Sequence, residues 1–230
     1  CIGPISVKDL KPLEVDLQNF KDALSVSEAT DAFMNAASPG VIAQFQPNQH
    51  YPDHSSYLYA LADAMKVEYE GIAEAGLVIQ IDSPDLALGR HVLFKDQSDE
   101  EFVAMAELHI EALNHALQNI PAEQLRLHVC WGNYQGPHHC DIEMKKILPA
   151  VLKAKPMALS FEGANPRHSH EWSVFRDAKI PENKVLIPGV LDSTTNFVEH
   201  PELVAERICR FADIVGRERV IAGSDCGFST

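Results

Sequence analysis

Seven short apolar runs recur along the 230-residue chain, most of them separated by segments of helical periodicity, and this alternation constrains the fold more than any other feature. The runs cover residues 1–5, 41–45, 77–81, 125–130, 157–161, 185–190 and 220–222. Several are apolar at nearly every position, the pattern of parallel strands buried on both faces. Between them, residues 55–75 carry Leu58, Leu61, Met65 and Tyr69 at spacings of three and four. Residues 99–117 open on acidic side chains and carry Phe102, Met105, Leu108, Ile110 and Leu113, and residues 201–215 carry Leu203, Ile208, Phe211 and Ile214. Each spacing predicts an amphipathic helix. Strand followed by helix, repeated this often, predicts an α/β fold with a parallel sheet.

No Gly-x-Gly-x-x-Gly or phosphate-binding loop follows any run, so an open dinucleotide-binding sheet lacks its usual signature. Polar residues instead stand at the carboxyl end of run after run: Asp82, His128, Glu162, Asp192 and Asp225. In a barrel those ends converge on one mouth, where active sites lie. The residues therefore favour a (β/α)8 TIM barrel, read as one domain over 1–230. Seven runs are one short of a barrel, and the chain opens on Cys1 and stops at Thr230 just past a motif. Both features read as a piece lacking its first strand and incomplete at both ends. An apolar content of 46% is enough to bury a core.

Composition narrows the partners. Nineteen basic residues stand against 33 acidic ones, a net charge of -14, which argues against nucleic acid and anionic membrane surfaces. No apolar run approaches the roughly 18 residues needed to span a bilayer. Five cysteines, odd in number and widely spaced, do not form a disulfide framework and predict a reducing compartment. An ordinary soluble, cytoplasmic enzyme fits these bounds, with room for a homo-oligomer. The loops at 46–56 and 132–139 follow strand ends and read as functional loops.

Four potential ligands for a soft metal lie at or just past strand ends: His128, Cys130, Glu162 and Cys226. His128 and Cys130 are two apart, so on a strand they face the same way. Two thiolates, an imidazole and a carboxylate make a tetrahedral set that suits zinc, with the carboxylate the easiest to displace. Zinc held mainly by thiolates is poor at activating water and good at holding another thiol as its thiolate. The competing reading is a small buried cysteine beside a satisfied core histidine. Arg167 is a candidate for holding an anionic group or a plain helix-start cation. Asp82 and Asp192 are candidates for substrate contact or for capping the next turn. His138, His139 and Cys140 form a dense cluster, read as a loop lining the mouth or as a second metal site.

The ordered set His128-x-Cys130, Glu162 and Asp225-Cys226-Gly227 resembles the catalytic barrel of cobalamin-independent methionine synthases. Gln80-Ile81-Asp82-x-Pro84, Pro188-Gly189-Val190-x-Asp192 and Ser38-Pro39-Gly40-Val41 follow in the same order. The similarity covers essentially the whole chain, as strands two to eight of a (β/α)8 barrel. It implies zinc ligation by His128, Cys130, Glu162 and Cys226, and a role for Asp82 in holding the amino group of homocysteine. It implies transfer of a methyl group from a folate nitrogen to the zinc-held thiol. Two positions depart from the family: Thr194 stands where a proton-donating histidine is expected, and Gln46 where a tryptophan backs the pterin. Thr194 is therefore the candidate catalytic residue at that place. The segments 130–134, 165–168 and 192–199 are closer to a single-barrel subgroup similar to epoxyalkane:coenzyme M transferases. The expected function is thus S-methylation or alkylation of a small thiol, homocysteine first, from a methyl or alkyl donor. An inert barrel with structural zinc, or an inactive partner subunit, is the alternative from another class.

Overall fold

The structure, a computed structural model, describes residues 1–228, so Thr230 lies outside it. Six parallel strands stand side by side in chain order: β1 (Phe33–Ala37), β2 (Val78–Asp82), β3 (Leu125–Val129), β4 (Ala158–Phe161), β5 (Val185–Leu191) and β6 (Gly223–Ser224). The helices are α1 (Lys11–Ser25), α2 (Pro39–Phe45), α3 (His54–Glu74), α4 (Leu88–Val92), α5 (Asp99–Ala116), α6 (Met144–Val151), α7 (Trp172–Asp177) and α8 (Pro201–Val215). An open doubly wound sheet reverses its strand order at a switch point. Here the order never reverses, so the sheet progresses as the wall of a (β/α)8 barrel does.

Register explains which side chains meet. Ala37, Asp82, His128, Ser160 and Ile187 fall in one cross-strand row, with Asn35, Gln80, Arg126, Ala158 and Val185 in the row beneath. The alternate residues Ile79, Ile81, Leu125, Leu127, Val129, Leu159, Phe161 and Leu186 belong to the buried core under the helices. The helix-side face is thus buried, while the two cross-strand rows on the other face line a cavity. Helix α5 starts where Ser98 and Glu101 form a reciprocal capping box, and Asp53 caps α3. No helix among the described residues is long and apolar enough to cross a membrane.

Three expectations need correction, and two elements of the structure have no counterpart among the apolar runs. Residues 41–45 are not a strand but the body of α2: Ser38 accepts the Val41 N–H at 3.0 Å and Pro39 takes the first helical position, a strong helix start. Residues 1–5 join no sheet; Pro4 has no N–H to give, and the Ile5 N–H goes to the Tyr51 hydroxyl. The first strand of the structure is instead Phe-Met-Asn-Ala-Ala, whose Asn35 and alanines mask its strand character. Residues 220–222 contribute only a single bridge, Val220 to Leu186, and pairing proper starts at Gly223. Helix α1, which no apolar run marks, packs Leu13, Leu17, Phe20 and Leu24 at helical spacing against the core.

Candidate metal centre

Strand geometry delivers the first two ligands. His128 sits on β3 and Cys130 just past it, two positions apart and so on one face. Cys226 arrives two residues beyond β6, and its Sγ lies 3.8 Å from the Cys130 Sγ. One ligand atom from each of His128, Cys130 and Cys226 lies within 4.8 Å of the others. Ligands each about 2.1–2.3 Å from one zinc are separated by no more than about 4.6 Å, so the cluster is close to the spacing that one zinc requires.

The hydrogen bonding of His128 points the same way. Its Nδ1 donates to Asp82 Oδ1 at 3.1 Å, while its Nε2 is buried and has no hydrogen-bond partner among the described residues. A buried ring nitrogen left unpaired is costly. A metal ion satisfies it, and a carboxylate on the other ring nitrogen is the usual orienting partner of a metal-bound histidine. One nitrogen and two sulfur donors fit zinc with a coordination position to spare.

The two thiols do not hold their protons equally. The hydrogen bond between the sulfurs, together with burial, pushes the Cys130 thiol far above its ordinary range. The same bond, helped by the charge of His128 and opposed by burial, brings Cys226 down to about 6. For His128, burial works against the charged ring, but the Asp82 hydrogen bond and the charges of Cys226 and Asp82 outweigh it and raise the pKa. The cluster thus pairs a thiol that gives up its proton readily with an imidazole that holds its own, and a dication bound here would replace that proton.

Glu162 stands outside this cluster. Its Oε1 accepts the Trp131 N–H at 2.8 Å and its Oε2 accepts from Asn165 Nδ2 at 2.7 Å, with the Arg167 guanidinium 3.7 Å away. Burial raises its pKa, against the charge of His168 and the Trp131 N–H. Three of the four candidate ligands thus fall within one cluster, and the fourth, Glu162, is hydrogen-bonded to Trp131 and Asn165.

Asp82 is 39% exposed and lines an interior cavity of about 490 Å³ with Gln80, Arg126, His128, Ser160 and Cys226. Asp192 is spent on its own turn: its Oδ1 accepts both the N–H and the hydroxyl of Thr194 at 2.8 Å. Thr194 lines a separate cavity of about 810 Å³ with Asn133, Tyr134 and Ser193. Arg167 is a quarter exposed and has a buried Nε without a partner. His138 stacks on Tyr134 and bonds Asp141, which also bonds His168; this cluster ties the loops after β3 and β4 together. Gln46 closes α2 and is exposed, its carbonyl accepting from the Tyr57 hydroxyl.

Trp131, Asn165 and His168 join the site through contacts that no sequence motif marks. Trp131 holds Glu162 through its backbone N–H, a role no side-chain pattern encodes. Asn165 and His168 were visible only as members of a polar stretch after the Glu162 strand.

Residues 40–230 match the family described as cobalamin-independent synthase, catalytic domain. A methionine synthase of Saccharolobus solfataricus is 28% identical over 222 residues, covering 94% of this chain and 57% of that protein. A methionine synthase of Sulfurisphaera tokodaii is 25% identical over 226 residues, covering 96% and 56%. The chain thus spans little more than half the length of these curated relatives. Among solved structures, a B12-independent methionine synthase from Shewanella sp. W3-18-1, in complex with selenomethionine, superposes with a TM-score of 0.74 at 18% identity, over 98% of this chain and 62% of that one. A putative vitamin-B12 independent methionine synthase from Listeria monocytogenes gives 0.69 at 20% identity, over 99% and 66%. These likenesses show the same barrel fold.

Proposed function

This chain belongs to the cobalamin-independent synthase catalytic-domain family, and we propose that it works as a zinc-dependent S-methyltransferase acting on homocysteine with a methyl-folate-type donor. The observation that carries the reading is the convergence of His128, Cys130 and Cys226 around a buried, unpartnered imidazole nitrogen. Bound there, zinc supplies the charge that keeps a substrate thiol as its thiolate near neutral pH.

The chain's own residues do the rest. Asp82 fixes His128 through Nδ1, leaving Nε2 toward the cluster, and its exposed edge faces the interior cavity, where it suits a cationic amino group. Glu162 waits as the exchangeable fourth ligand, held by the Trp131 N–H and Asn165 until it is needed. Asp192 positions Thr194 by two hydrogen bonds, leaving the threonine, beside the cavity of about 810 Å³, as the candidate for the donor side of the reaction.

A second reading has one observation in its favour. Arg167 keeps a buried, unpaired Nε beside Glu162, and a half-buried guanidinium suits a thiol carrying a sulfonate. That points to alkylation of a coenzyme M-like thiol by an epoxide. A thiol screen on the full-length zinc protein, followed by turnover with methyl-folate and with an epoxide, separates the two. Methionine formed from methyl-folate supports the first reading; binding of coenzyme M alone moves the assignment to the second. A zinc K-edge spectrum unchanged by every thiol sinks both and leaves a structural zinc.

A further inference from the structure

The interior cavity beside the metal cluster carries a cation that the chemistry above leaves unused. Arg126 stands two residues before His128 on β3, so both side chains leave the same face of the strand, one row apart. Arg126, Asp82, His128 and Cys226 all line this cavity of about 490 Å³. Among its described lining residues Arg126 is the one guanidinium or ammonium and Asp82 the one carboxylate, and the two do not pair with each other. The polar wall between them is neutral, made by Asn35, Gln80 and Ser160.

The donors of Arg126 are idle. Its guanidinium carbon lies 4.6 Å from the centroid of the Phe33 ring, a contact that engages the charge but none of the N–H groups. Among the described residues no carboxylate comes within ion-pair distance of it and no acceptor takes a hydrogen bond from it. The carboxylate that favours its charge is that of Asp31, which is exposed and accepts the Ala32 N–H at 2.8 Å; burial works against the charge. Arg167, the other cation near the centre, does not line this cavity and stands 3.7 Å from the Glu162 carboxylate. A half-buried guanidinium facing a neutral wall is stabilised by an anion that enters the cavity.

We propose that Arg126 is a specificity-determining residue that holds the anionic group of the substrate thiol, leaving Asp82 for an amino group where the thiol has one. The proposal rests on the zinc-thiol reading above. Two residues along a strand span about 6.6 Å, which suits a thiol whose sulfur sits at the cluster and whose anionic group lies about two or three carbons away. Opposite charges fixed on one cavity and not neutralising each other suit a zwitterion such as homocysteine; the same guanidinium takes the sulfonate of a coenzyme M-like thiol. Both share one chemistry, a small thiol with an anionic tail. Arginine fits the task better than lysine, because its planar fork meets two oxygens of one anion with parallel N–H donors. A residue that merely braces β3 against Phe33 treats charged and neutral thiols alike.

The test is calorimetric binding of matched thiols to the zinc-loaded full-length protein, in wild type, Arg126→Gln, Arg126→Lys and Arg167→Gln. One pair is homocysteine and 3-aminopropanethiol, which differ by the carboxylate. The other is coenzyme M and 2-mercaptoethanol, in which a hydroxyl replaces the sulfonate. In wild type the anionic member of at least one pair binds tighter than its partner, and the pair that shows this identifies the anion as carboxylate or sulfonate. Arg126→Gln weakens that member roughly tenfold or more, as loss of a hydrogen bond to a charged group predicts, and leaves its partner within about twofold. Arg126→Lys keeps the charge but loses the fork, so its selective loss is smaller, and it carries the test if the glutamine variant does not fold. No preference for the anion in wild type, equal losses for both members of a pair, or a selective loss in Arg167→Gln instead overturns the proposal while leaving the zinc enzyme intact. A wild type that binds no zinc overturns both.

Discussion

Replacing Asp82 with asparagine separates two jobs that one carboxylate is expected to do. Its Oδ1 takes the His128 Nδ1 proton at 3.1 Å, with a long second contact to Gln80 at 3.4 Å. An asparagine oxygen occupies the same place, so the ring keeps its orientation but loses a charged acceptor. Hydrogen bonds to charged groups contribute about 1.5–3 kcal/mol against about 0.5–1.5 for neutral ones, a difference of about 1–1.5 kcal/mol. The 39% exposure of the Asp82 side chain trims this to the lower end. The expected loss of zinc affinity is therefore about fivefold to tenfold for Asp82→Asn, rising toward a hundredfold for Asp82→Ala, where the ring loses its partner altogether. The deficit shrinks at acid pH, because Asp82 also helps His128 keep the proton that zinc must displace. The assay is chelator competition on the full-length protein at two pH values, then binding of homocysteine and of a thiol without an amino group. Asp82→Asn should weaken homocysteine binding more than that of the amine-free thiol. Unchanged zinc affinity at both pH values refutes the orienting role, and equal losses for the two thiols refute the amine contact.

Cys226→Ala should release zinc and abolish transfer, while Cys140→Ala and Cys209→Ala should leave metal content and turnover near wild type, checked by metal analysis of purified protein. His168 is raised to about 9: burial opposes the charge, but hydrogen bonds to Asp141 and Glu171 prevail. Its folded pKa lies above the unfolded value near 6.5, so the stability it contributes is complete below that value and fades as pH rises through about 9. Unfolding free energy should fall between pH 7 and 10, and His168→Gln should flatten that slope; parallel curves would count against the assignment. Gly40→Ala should destabilise the fold by about 3 kcal/mol or more, since the new methyl falls 2.0 Å from Asp85 Oδ2 and 2.5 Å from His109 Nδ1 and so breaks a buried pair. A loss under about 1 kcal/mol in urea denaturation would mean that the pair shifts without cost.

The barrel and its mouth were legible because both rest on local rules. Buried parallel strands read as unbroken apolar runs, and the polar residue that ends each run marks where the strand emerges. His128 and Cys130 needed only a two-residue period to be placed together, and Cys226 needed only a strand end. What stayed hidden depends on contacts with no local period. The run at 41–45 is as apolar as any strand, and only the Ser38-Pro39 cap turns it into a helix. Asn35 and two alanines disguise the strand that precedes it, which owes its place to pairing with β2 rather than to its own propensity. Glu162 is the more instructive case. Its position at the end of β4 makes it a ligand by sequence logic, yet its orientation is decided by a backbone N–H from β3's loop and an amide from its own. Sequence order tells which residues reach the mouth. Which of them is free to bind once there is settled by the donors that surround each one, and those come from residues whose types announce nothing.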